Sequence, residues 1–71
     1  MRKYLIVIEK TKTGYSAYVP DLPGCIATGK TKSILEKNIY KAIELHLELL
    51  KLDKAPIPRS NTNAEFALFR G

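Results

Sequence analysis

YSAYVPDLPGCIATG, residues 15–29, holds a strand, a corner and a second strand with almost no spare residue. Residues 15–19 are β-prone. Pro20 then removes a backbone donor, fixes its own φ and pushes Val19 toward extended geometry, so the strand cannot continue in register. Pro23 and Gly24 reverse the chain, because glycine accepts a positive φ that other residues resist. Residues 25–29 form a short returning strand.

Working outward, residues 3–10 read as a strand with Tyr4, Ile6 and Ile8 on one side and Leu5 and Val7 on the other. Both of its faces are apolar. Thr11-Lys12-Thr13-Gly14 is a turn that joins it to residues 15–19 as an antiparallel hairpin. Downstream, Thr31 is placed to cap a helix, although Ile34 stands where a capping box would put Glu or Gln. From 32 to about 52, Leu35, Ile39, Ala42, Ile43, Leu47 and Leu50 recur at helical spacing, with Glu36, Lys37, Lys41, Glu44, Glu48 and Lys51 on the opposite arc. Pro56 and Pro58 end the helix. Residues 59–63 are a polar loop, and residues 64–70, with Phe66, Leu68 and Phe69, read as a last strand that rejoins the sheet. The expected fold is α+β: a two-layer β-β-β-α-β arrangement, rich in antiparallel pairing, with one helix across one sheet face.

One helix covers one side of a sheet, yet Leu5, Val7 and a partner such as Tyr18 or Ala17 make the other side apolar as well. If roughly 400 Å² were left wet there, its burial would be worth about 10 kcal/mol gross at 25 cal/mol per Å². That matches the total stability of a small protein. A homodimer or higher homo-oligomer, or a chain stable chiefly with a partner, is therefore expected.

The 71 residues are expected to make a single domain, of a size that hides only about 60% of the surface its unfolded chain exposes. An apolar content of 45% excludes a disordered tail, and no run approaches the roughly 18 apolar residues that cross a bilayer. Glu9 and Lys10 cut short the apolar start, so no export signal and no membrane association are read, and a cytoplasmic location is expected. The single cysteine, Cys25, forms no internal disulfide and no thiolate metal site. Twelve Lys and Arg against seven Asp and Glu give a formal charge of +5, but the basic residues are scattered and lack the density of a nucleic-acid arm.

The corner at Pro20, Asp21, Leu22, Pro23 and Gly24, the Gly29-to-Thr31 helix entry, the His46-Leu47-Glu48 run and the exit at Pro56-Ile57-Pro58 together resemble the HicB-like antitoxins, small proteins that neutralise the HicA messenger-RNA-cleaving toxin. The resemblance spans roughly residues 3–58. It implies a short-form, partial ribonuclease-H-like fold and a HicA-like toxin as partner. Many such proteins continue into an operator-binding domain; this chain has no room for one, so direct DNA binding is not expected.

A nuclease reading fails on the residues. Two-metal cleavage needs converging carboxylates, and Glu9, Asp21, Asp53 and Glu65 are dispersed. His46, the only histidine, projects near the middle of the apolar arc, where a neutral ring packed under the sheet and bonded to a backbone carbonyl or a tyrosine hydroxyl is expected rather than acid–base work. Cys25 reads as a small apolar residue, not a nucleophile. Tyr4, Tyr15, Tyr18 and Tyr40 are capable of stacking on RNA bases, but without a basic or glycine-rich motif beside them they read as packing. Asp21 reads first as a turn former and second as a charge presented to the toxin.

No catalytic residue, metal or cofactor is expected. The function expected is occlusion of a HicA-type toxin by surface complementarity, with candidate contacts at Asp21 and Leu22 in the corner and at Glu36, Glu44 and Glu48 on the helix flank. The structural frame is Pro20, Pro23, Gly24, Gly29, Thr31 and His46. A charge of +5 works against steering toward a basic toxin. An oligomeric basic module that binds nucleic acid, or a family member with another partner, stands as the alternative.

Overall fold

Residues 2–71 are described by a computed structural model. Strands β1 (Val7–Lys10), β2 (Tyr15–Tyr18) and β3 (Ile26–Gly29) form an antiparallel sheet in the order β1-β2-β3, followed by one helix, α1 (Lys32–Leu52). The corner after β2 is closed by backbone bonds: the Val19 amide donates to the Cys25 carbonyl at 3.1 Å, and the Leu22 and Cys25 amides donate to Val19 and Leu22, each at 3.0 Å. Gly24 sits at φ 84°, the left-handed geometry that a side chain resists. The tight loop drives Leu22 inward.

The β1 ladder is shorter than residues 3–10. Val7 pairs with Tyr18, and beyond that point the opposite chain has already entered the Pro20 corner, where a proline offers no donor. The third strand likewise begins at Ile26, because Cys25 still belongs to the corner.

Register assigns the faces. Ile8, Ala17 and Ala27 lie opposite one another on the helix side, and Val7, Tyr18 and Ile26 on the other. Ala17, Val19, Leu22, Cys25, Leu35 and Ile39 form the buried core, with Tyr4, Ile6, Tyr15, Ala27, Ala42, Ile43 and Leu47 packed around it. Ala17 is thus a core residue and does not belong to the open face. The helix crosses β3 and β2 but does not reach β1.

Only Lys30 and Thr31 separate β3 from α1. A Cβ on Gly29 would stand 2.5 Å from the Leu35 nitrogen, so glycine is what lets the helix start this close to the strand. Thr31 Oγ1 accepts from the Ile34 amide at 3.1 Å, the expected N-cap. At the other end Lys54 takes φ 54°, its amide donates to Lys51, and the Ala55 amide donates to Leu50. This is a Schellman ending with lysine where glycine is usual.

The strand expected at 64–70 is absent: residues 64–70 carry no regular structure, and Phe66, Leu68 and Phe69 are each at least 91% exposed. A strand needs an edge to pair with. Residues 58–62 are held off the end of the sheet, by Tyr4 and Asp21, so the segment that follows leaves the body of the molecule.

Candidate protein-binding surface

Asp21 clamps the chain to itself. Its Oδ2 accepts from the Asn61 and Thr62 amides, both at 3.0 Å, and its Oδ1 from the Thr62 hydroxyl at 2.8 Å. Desolvation pulls the carboxyl upward, but the bonds from the Thr62 hydroxyl and from the Thr62 and Asn61 amides outweigh it and hold the pKa below its ordinary value. The Tyr4 hydroxyl donates to the Pro58 carbonyl at 2.5 Å, so the loop after the helix is fixed at two points. Asp21 therefore spends its charge internally. Leu22 is wholly buried, and a contact role for its side chain is excluded by packing.

On the helix the three glutamates part company. Glu36 is half-buried and takes a long bond, 3.4 Å, from the Tyr40 hydroxyl, whereas Glu44 and Glu48 are exposed. Beside them runs a stripe that the reading of the sequence missed: Leu45, Leu49 and Leu52 are all more than half exposed, Leu52 at 78%. Their i, i+4, i+7 spacing puts them on one line. At 3.6 residues per turn the line flanks the buried arc, which itself continues through His46, Leu47 and Leu50, and its own spacing is the signal by which it was detectable.

The side of the sheet facing away from the helix carries a second apolar row. Val7, Tyr18 and Ile26 are cross-strand neighbours, with Tyr18 41% and Ile26 70% exposed. The next row, Glu9, Ser16 and Thr28, is polar. The open face is therefore a narrow apolar band with a polar margin.

Cys25 is buried, and that burial pushes its thiol above the ordinary value, away from the thiolate a nucleophile needs. His46 is half-buried on the helix, and no hydrogen bond from its ring occurs among the described residues, so the expected bond to a carbonyl or tyrosine is not made. Among those residues no group of three or more His, Cys, Asp or Glu is placed to hold a metal ion. No helix among them is long and apolar enough to cross a membrane.

Comparison with known proteins agrees with this geometry. The family described as the HicB-like antitoxin of bacterial toxin-antitoxin systems matches residues 4–67. A UPF0150 protein of Thermoplasma acidophilum is 45% identical over 60 residues, covering 83% of this chain and 87% of its own length. A 14.9 kDa protein from the rep–hol intergenic region of Haemophilus phage HP1 is 43% identical over 58 residues, covering 82% of this chain, which spans only 44% of the phage protein. Among solved structures, a chain of a HicA3 and HicB3 toxin-antitoxin complex superimposes with a TM-score of 0.71 at 35% identity, covering 84% of this chain and 70% of that one. The corner, helix entry and three-strand sheet that place the exposed apolar surfaces are thus those of a known group, and the chain belongs to the HicB-like antitoxin family.

Proposed function

We propose that this chain is an antitoxin that binds a HicA-type messenger-RNA-cleaving toxin and occludes it, without making or breaking a bond itself. The observation that carries the reading is the likeness to a chain of the HicA3 and HicB3 complex, at a TM-score of 0.71 and 35% identity. The exposed half of α1 supports it. Leu45, Leu49 and Leu52 supply an apolar centre, and Glu44 and Glu48 with Lys41 and Lys51 a charged margin of mixed sign, the anatomy of a protein interface. The net charge of +5 gives no long-range attraction to a basic toxin, so affinity rests on this patch and not on steering.

Co-expression with the protein of the adjacent reading frame tests it: restored growth and co-purification support the antitoxin. Leu45→Arg with Leu49→Arg is expected to weaken the complex more than about tenfold, while the melting temperature stays close to that of the parent because both side chains are solvent-exposed. Toxicity that persists in the presence of the folded parent chain contradicts the reading. The alternative, nucleic-acid binding through the scattered lysines, predicts RNA affinity that falls steeply with salt. Occlusion through an apolar patch predicts a complex with little salt dependence.

A further inference from the structure

We propose that the turn end of the sheet holds a site for a terminal phosphate group, that of a nucleotide or of an RNA end, in a cavity ringed by lysines. The site does not depend on the toxin reading. It lies at the start of α1, and from Lys32 to Leu45, where the helix stripe begins, the axis runs about 20 Å.

The turn between β1 and β2 leans on the connection between β3 and α1. A Cβ on Gly14 would stand 2.4 Å from the Gly29 carbonyl oxygen and 2.9 Å from the Lys30 Cα, so glycine is what lets the two segments close up. The turn is held in shape by two bonds: the Thr11 amide donates to the Gly14 carbonyl at 2.8 Å, and the Gly14 amide to Thr11 Oγ1 at 3.0 Å. Beside it lies a cavity of about 310 Å³ whose polar lining comes from Thr11, Thr13, Tyr15, Thr28 and Lys30. That volume is at the small end of ligand pockets.

Lysines scattered along the sequence meet here. Lys10 is in register with Tyr15, and Tyr15 with Gly29, so about 10 Å, two strand spacings, separates Lys10 from the lysine connection after β3. Lys12 sits between Thr11 and Thr13, and Lys30 and Lys32 follow β3 directly. All four are exposed, and none donates a hydrogen bond to another described residue. No carboxylate lines the cavity. Glu9 stands two strands away from Thr28, and Glu36 takes the Tyr40 hydroxyl further along the helix. Like charges gathered without a counterion repel one another, and a bound anion removes that repulsion.

The donor set selects the ligand. Thr11 Oγ1 accepts the Gly14 amide and keeps its own hydrogen to donate, and lysine binds phosphate as a point charge. The start of α1 adds its positive end, with no acidic residue in its first turn. A terminal phosphate carries about −1.5 to −2 charges at neutral pH with three acceptor oxygens, whereas each phosphate along a nucleic-acid backbone carries one. A small cavity under several ammonium groups therefore favours the terminal group over the backbone.

Amide spectra of the full chain titrated with inorganic phosphate at low ionic strength are expected to show saturable movement of residues 10–15 and 28–33, while Lys41, Lys51 and Lys54 stay still. Lys12→Gln with Lys30→Gln is expected to weaken binding at least about tenfold with the amide fingerprint of α1 preserved. Arg2→Gln with Lys3→Gln removes the same charge at the other end of the sheet and is expected to leave the affinity within about twofold. Adenosine monophosphate and an RNA oligonucleotide with a 5′-phosphate are expected to displace inorganic phosphate, and the tighter of the two identifies the source. Movement reproduced by chloride at equal ionic strength, movement spread over all lysines, or binding untouched by Lys12→Gln with Lys30→Gln would each overturn the proposal. RNA with a 5′-hydroxyl binding as tightly as its phosphorylated form would overturn it as well, in favour of backbone contact.

Discussion

At the residue scale, Asp21 shows how a turn former becomes a clasp. A residue after proline in a tight corner usually bonds its own turn, and here the same oxygens reach 40 residues along the chain to Asn61 and Thr62. Its folded pKa lies below its unfolded value, so the clasp adds stability in full above the unfolded value and loses it as pH falls through the folded one. Amide shifts of Asn61 and Thr62 are expected to titrate together in that acid window, and Asp21→Ala to free residues 59–63 for proteolysis while the core holds. The sequence carried the turn role of Asp21 but not this partner, because three bonds to a polar loop leave no periodic trace. Leu22, a candidate contact by its place in the corner, lies in the core for a related reason: closing the loop with three backbone bonds aims it inward. Cys25 is expected to resist thiol reagents until the protein unfolds, as a buried thiol should.

At the scale of elements, the helix was the most legible part. Its ends, Thr31 and Leu52, follow from a cap, an apolar period of 3.6 and the prolines beyond. The strand at 64–70 failed because local β propensity says that a segment can be a strand, while an edge and a root position decide whether it is one. Two substitutions test the joints. Gly29→Ala pushes a Cβ into the Leu35 backbone and is expected to cost about 1–3 kcal/mol in denaturant unfolding. Lys54→Gly relieves a positive φ at the helix end and is expected to gain about 0.5–1 kcal/mol. Ile39→Ala, in the middle of the buried arc, is expected to cost about 2–5 kcal/mol.

At the scale of the whole molecule, a three-stranded sheet under one helix buries six core side chains and leaves most of its exposed apolar ones on the helix stripe, the open sheet face and the arm. So much exposed apolar surface on a small protein marks sites of association. That one sheet face would stay uncovered was readable from the single helix. The exposed helix stripe was not, because Leu45, Leu49 and Leu52 lie on the flank of the buried arc, where a leucine carries no sign of its own that it stays uncovered. The most direct measurement is RNA cleavage by a purified HicA-type toxin, titrated with this chain. The account predicts stoichiometric loss of cleavage that salt hardly alters and that Leu45→Arg with Leu49→Arg abolishes; cleavage that continues at excess chain, with no complex formed, would contradict it.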